Sequence, residues 1–278
     1  MTGSNDILTI GQTSGDFGKH NLGQTGVYDY ILTRFNPTTH DFEFYQNGTS
    51  SDEEIFNATE MNDGSGSVAF VGRTLGNLGG ELIGGYDIFL GIYNPITDDI
   101  RYYQTGSGQI DRALGVHDIG NDTLALIYET ADVIASGSSN GGVDVGVIKF
   151  NYNTNTWATR SFQVGSTDDD TFIQESSPSV YLPDTERIAI VGKTLGNFSD
   201  DGIVFGSNDI FLALYDITNN TFKKYQVGSE ANEIPSTIFT IGGDRLVIGG
   251  FSDSSFNEPN NGIIVTFDST VGIRGKSM

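Results

Sequence analysis

Cysteine is absent from the 278 residues, so disulfides and thiolate metal sites are excluded. Basic residues are scarce. Fourteen Lys and Arg stand against 36 Asp and Glu, giving a net charge of −22 at pH 7. Such a surface repels phosphate backbones and anionic lipid headgroups, which excludes nucleic acid as an expected partner and disfavours anionic membrane surfaces. No apolar run approaches the ~18 residues of a membrane helix, so membrane insertion is not expected. The opening MTGSND has no basic region leading into an apolar stretch, so no Sec-type signal peptide is expected. The three histidines, His20, His40 and His117, form no His-x-x-x-His pair, which leaves a His-based metal site unsupported. There is no dinucleotide motif. The Gly-rich LGNLGG at 75–80 runs from one β-type segment into another and lacks the helix N-terminus that would hold a phosphate. No segment sustains capped helical periodicity over a dozen residues.

What the chain does have is repetition. VGRTLGNLG (71–79) matches VGKTLGNFS (191–199), DIFLGIYN (87–94) matches DIFLALYD (209–216), and YYQTGS (102–107) matches KYQVGS (224–229). More diverged copies begin at TIGQTSG (9–15), LIYET (126–130) and LVIGGFS (246–252). Two landmarks keep step. An Asp opens the middle strand at Asp29, Asp87, Asp144 and Asp209, and a Gln follows at Gln46, Gln104, Gln163 and Gln226, with separations of 17, 17, 19 and 17. The Asp-to-Asp period is 57 to 65 residues, and the variation is expected to sit in loops. Each copy reads as a short apolar strand ending in Gly, a fully apolar strand, and a strand alternating around an aromatic. A further strand precedes them, at 54–61, 112–119, 176–182 and 235–241. This predicts an all-β chain of five repeats of about 58 residues, at 7–48, 54–106, 112–165, 171–228 and 233–275. The blades are four-stranded and antiparallel, with the first and last incomplete. The tail STVGIRG (269–275) could supply a missing strand by pairing with the first repeat.

An aromatic on the third strand is followed seven residues later by an apolar or aromatic partner: Phe35/Phe42, Tyr93/Ile100, Phe150/Trp157 and Tyr215/Phe222. With the Gly-ended strand before it, this resembles the kelch blade, although the double Gly survives only at Gly249-Gly250. The run from strand-Gly-x-Thr through a Gly-rich loop to DIFL, then Gln-x-Gly-Ser, also resembles the SBBP-type propeller repeat. Both resemblances imply a β-propeller in a single domain, 1–278, and an interaction scaffold rather than a reaction. Trp157 falls at a core-type position of that repeat.

Several residues invite a chemical role. The repeated Asp set could ligate Ca²⁺, with Asp87 and Asp209 the candidates, but a strand-opening Asp is more often a turn cap. No acidic segment has the spacing of a Ca²⁺ loop, and no other cofactor is implied. Three Gly-rich loops (75–86, 131–142, 195–208) align between the second and third strands. Arg73-Thr74 and Lys193-Thr194 recur at their starts, with Gln12-Thr13 in copy one, as candidate ligand-binding residues. A glycosidase would need two carboxyls ~5–10 Å apart. Glu60, Asp118, Glu175 and Glu233 are the innermost-strand candidates, but they share no repeat position. Five Asn-x-Ser/Thr sequons (Asn47, Asn57, Asn121, Asn197, Asn219) fit chance in so Asn- and Thr-rich a chain.

The expectation is a non-enzymatic binding or assembly protein of an extracellular or virion surface, with the cytoplasm as the alternative location. Its partners would be proteins or surface glycans, and homo-oligomers remain open. The alternatives are a multivalent carbohydrate-binding propeller and, third, a glycoside hydrolase.

Overall fold

The Asn-Pro-x-Thr-like turns are the local devices that fold this sequence. In each, an Asx side chain caps the turn. Asn36 Oδ1 accepts from the amides of Thr38 and Thr39, Asn94 from those of Ile96 and Thr97, and Asn151 from those of Asn153 and Thr154. The fifth turn residue must adopt a left-handed backbone, and His40, Asp98, Asn155 and Asn220 do so at φ of 62°, 56°, 55° and 55°. Three of the four are Asn or Asp, the types that tolerate this region. The result is a hairpin that sets the aromatic pairs face to face. Phe35 opposes Phe42 and Tyr215 opposes Phe222, with ring centroids 4.5 and 5.1 Å apart. Tyr93 opposes Ile100, and Phe150 meets Trp157 at 4.9 Å.

A computed structural model describes residues 6–17, 28–173, 177–201, 205–242, 245–253, 261–268 and 272–277. Among them there are five antiparallel sheets and a single 3-10 turn, Pro183–Thr185, so the chain is all-β. The chain divides into two compact units, residues 1–128 with 151–156, and residues 129–150 with 157–278.

The first unit holds β1 (Ile7–Thr13), β2 (Asp29–Phe35) and β3 (Phe42–Asn47) in one sheet, ordered β1-β2-β3. A second sheet runs β4 (Glu53–Glu60), β5 (Val68–Thr74), β6 (Asp87–Asn94), β7 (Asp99–Thr105) in chain order. β8 (Asp111–Asp118) and most of β9 (Thr123–Thr130) follow. The first two sheets share a core of Tyr30, Leu32, Ile55, Phe70, Phe89 and Tyr93.

In the second unit, β10 (Asp144–Asn151) is followed by the short strands β11 (Thr156–Trp157) and β12 (Phe162–Val164), and β12 pairs with β10. The fourth sheet contains β13 (Asp170–Thr171), β14 (Ser179–Leu182), β15 (Arg187–Thr194), β16 (Asp209–Asp216) and β17 (Thr221–Val227). β13 and β14 share one edge of β15. The fifth runs β18 (Glu233–Thr240), β19 (Arg245–Ser252), β20 (Asn261–Asp268), β21 (Gly272–Ser277). Val191, Leu212, Leu214, Ile238, Leu246 and Phe267 form the core of these two sheets.

Burial explains the strand patterns. β6 and β16 are buried along both faces, which is why they are continuously apolar, while β7 and β17 are partly exposed and alternate. The two extra residues between Asp144 and Gln163 are absorbed as the break between β11 and β12. The sequence left the last repeat one strand short and offered its tail to the first. The structure corrects this: β21 pairs antiparallel with β20, so the last sheet has four strands.

Candidate functional site

The repeated polar residues converge at one place per repeat, where the last strand of one sheet crosses to the first strand of the next. The Gln side chain spans a loop base. Gln226 Nε2 donates to Asp209 Oδ2 at 2.7 Å and to the Gly196 carbonyl at 3.1 Å, while its Oε1 accepts from the Phe198 amide at 2.8 Å. Gln46 does the same with Asp29, Gly15 and Phe17, and Gln104 with Asp87, Gly76 and Leu78. Gln163 donates to Asp144 and the Asp132 carbonyl. Asp Oδ2 also takes the amide four residues upstream, from Ile83, Asn140 or Phe205. The loops between second and third strands are thereby clamped at both ends.

A second acid stands beside each Asp. Glu53, Asp111, Asp170 and Glu233 open β4, β8, β13 and β18, and each is at most 1% exposed. Each accepts from the amide of the Ser or Thr four residues earlier, at Thr49, Ser107, Ser166 and Ser229. Across the strand pair a hydroxyl also reaches the acid, from Thr74 to Glu53 at 2.7 Å and from Ser252 to Glu233 at 2.9 Å. The motif is Gln-x-Gly-[Ser/Thr]-x-x-x-[Asp/Glu], and the printed sequence carries it four times, from Gln46, Gln104, Gln163 and Gln226. Sequence reading stopped at the Gln-x-Gly-Ser. Extending the comparison by four residues would have exposed the acid.

The glycine of the motif has a steric reason. Oδ1 of Asp29, Asp87, Asp144 and Asp209 is buried without a conventional hydrogen-bond donor. A Cβ on Gly48, Gly106, Gly165 or Gly228 would lie 2.4, 2.3, 1.8 and 1.8 Å from that oxygen. The hydrogen in the Cβ position therefore points at the carboxylate, a Cα–H···O contact that only glycine can make here. Burial raises Glu53 and Asp144 above the usual carboxylate range. It pushes Asp170 up to about 6, against the pull of hydrogen bonds from Thr194 and Ser166 and with help from the charge of Asp144.

The sequence-selected residues separate under this geometry. Thr74 and Thr194 are buried, and both hydroxyls accept the amide two residues on, from Gly76 and Gly196. Arg73 lies against Glu54 at 2.5 Å and 4.1 Å above the Tyr86 ring. Lys193 pairs with Thr171 across the strands, and Gln12 is exposed on β1. Asp118 accepts from the amides of Asn62 and Gly120, Glu60 is exposed, and Glu233 belongs to the crossing motif. Trp157 is half-buried on Phe150. His20 and Glu175 lie outside the described residues.

A cleft of about 470 Å³ opens in the first unit, lined in part by Arg34, Asp6, Thr59, Glu60, Ser65 and Ile96. Arg34 is held there by Asp6 at 2.5 Å and Glu43 at 3.4 Å.

No family model and no curated protein sequence matches the chain. Solved structures show only a weak likeness to it. A sialidase from Streptococcus pneumoniae is 10% identical with a TM-score of 0.48, over 81% of this chain and 33% of that one. The acylaminoacyl peptidase of Pyrococcus horikoshii is 10% identical at 0.47, over 98% and 37%. The β-propeller domain of the trilobed protease from Pyrococcus furiosus is 10% identical at 0.45, over 97% and 71%. The chain spans about a third of the length of the first two. Likenesses at this level carry no argument about activity.

Proposed function

We propose that this chain is a five-bladed, non-enzymatic β-propeller of kelch-like and SBBP-like repeats, acting as a binding or assembly scaffold at an extracellular or virion surface. One observation carries the reading. Of the residues that recur from repeat to repeat, the Asp and Gln are spent on clamping the loops between second and third strands, and the Ser/Thr and acid on fixing the crossing to the next sheet. A scaffold that invests its repeated polar groups in fixing loop bases is one that presents loops. The resemblance to interaction repeats supports the same reading.

Carbohydrate is the second reading, favoured by the cleft, whose Thr59, Glu60, Ser65 and Arg34 offer donors and acceptors beside the apolar Ile96. A glycan array, together with light scattering with and without Ca²⁺, tests both. A defined oligomer or a protein partner, without glycan retention, supports the scaffold. Selective glycan retention abolished by Glu60→Ala supports the cleft. Turnover of a glycoside that is lost in Asp118→Asn would overturn both.

A further inference from the structure

Four of the five sheets begin with an acid-led strand, and the first sheet does not. β1 corresponds to β5, β9, β15 and β19, and among the described residues its other edge has no partner. Its burial differs accordingly. No residue of β1 is buried, whereas β5 and β15 are buried almost throughout, and Ile7 is 52% exposed.

Two residues of β1 are nevertheless built for a neighbour. At the position of Gly11, three of the other four sheets carry Gly72, Gly192 and Gly250 (β9 has Tyr128), and there a Cβ would strike the carbonyls of Glu54, Thr171 and Ile234 on the acid-led strand at 1.8, 2.6 and 2.4 Å. At Gly11 a Cβ meets only the Ile31 side chain, at 3.4 Å. Glycine is kept where, among the described residues, no backbone yet approaches. Thr13 stands where Thr74 and Ser252 stand, and its oxygen already takes the Gly15 amide as Thr74 takes that of Gly76. Thr74 and Ser252 hand their protons to Glu53 and Glu233. Thr13 has the same proton, and among the described residues no acid accepts it.

We infer that the open edge of β1 is an acceptor for an extended strand from another polypeptide, one that opens with Asp or Glu opposite Thr13 and runs antiparallel toward Ile7. The carbonyl after its acid would pass over Gly11, and its backbone would complete a four-stranded sheet. The occupant has the chemistry of this chain's own first strands, Gly-[Ser/Thr]-x-x-x-[Asp/Glu] followed by apolar positions. The chain's four copies of that segment are already engaged at Glu53, Asp111, Asp170 and Glu233.

The probe is a synthetic peptide of residues 228–240, GSEANEIPSTIFT. Titrated into the intact protein, it should bind saturably and slow amide exchange across Ile7–Thr13. The same peptide with Glu233→Gln should bind about tenfold more weakly, as expected for one charge-assisted hydrogen bond of ~1.4 kcal/mol. Thr13→Val should weaken binding similarly. Gly11→Val should abolish it while changing the melting temperature little, because the new Cβ meets only the flexible Ile31 side chain, at 3.4 Å. Absent binding, or binding indifferent to both Glu233→Gln and Gly11→Val, would overturn the inference. So would β1 amides protected as strongly as those of β5 without any peptide. A dimer that Gly11→Val dissolves and the peptide cannot compete would also overturn it, assigning the edge to a second copy.

Discussion

At the scale of single residues, the crossing motif makes sharp predictions. Gly228→Ala must push a methyl into Asp209 Oδ1 and should cost about 1–3 kcal/mol in urea unfolding. Gly262→Ala, with nothing within 4 Å, should be neutral within about 0.5 kcal/mol. Two titrations should oppose each other. Asp170 rises from an ordinary value of 3.8 to about 6, so the folded chain holds its proton more tightly than the unfolded chain does. Stability should therefore grow as pH falls from 6 toward 4, by up to about 3 kcal/mol. Asp170→Asn should remove that slope. His117 moves the other way: burial lowers it from 6.5 to about 4, so keeping it neutral costs stability as pH falls through the same window. His117→Gln should flatten this opposite slope. Unfolding measured at half-unit intervals from pH 4 to 7 separates the two.

At the scale of elements, the hairpin turn is both a bend and a stitch. The left-handed turn residue reaches its own hairpin and the sheet before it. Asn220 Oδ1 accepts from Tyr215 at 2.6 Å and from Lys149 Nζ at 2.8 Å, and Asp98 accepts from Tyr93 at 3.2 Å and Tyr45 at 2.5 Å. Asn220→Gly keeps the backbone and loses the stitch, and Asn220→Ala loses both. The alanine variant should be less stable by about 1 kcal/mol beyond the glycine variant, read as the difference between their unfolding midpoints. The strands and aromatic pairs were legible because sheet burial writes itself as period-two or continuous apolar runs. The crossing motif was half legible. Gln and Asp stood out at a near-constant spacing, but Glu53, Asp111, Asp170 and Glu233 differ in side-chain length and sit among other acids such as Asp52 and Asp169. Thr74 and Thr194 recurred in the sequence for the same reason they are buried in the structure, since each completes an acid's hydrogen bonding. Recurrence alone cannot distinguish that from a ligand site. The bulges opposite Gly72 and Gly250, at Phe56 and Ser236, left no sequence signal beyond the glycines themselves.

At the scale of the molecule, the charge of −22 is a standing self-repulsion. Raising NaCl from about 10 mM to 500 mM shortens the Debye length from ~30 Å to a few Å, and the melting temperature should rise accordingly. A fall would show that ion pairs such as Arg73 with Glu54 outweigh the repulsion.

The acid that finishes each crossing belongs to the following sheet, while the Ser or Thr whose amide it accepts follows the last strand of the preceding one. The unit of inheritance is thus out of phase with the unit of folding. A duplication or recombination joint placed between sheets, say between Ser107 and Asp111, would part the amide from the acid that accepts it. A joint inside a loop such as 75–86 would carry whole crossings with it. Sheet-swapped chimaeras should therefore survive when spliced through those loops and fail when spliced at sheet borders.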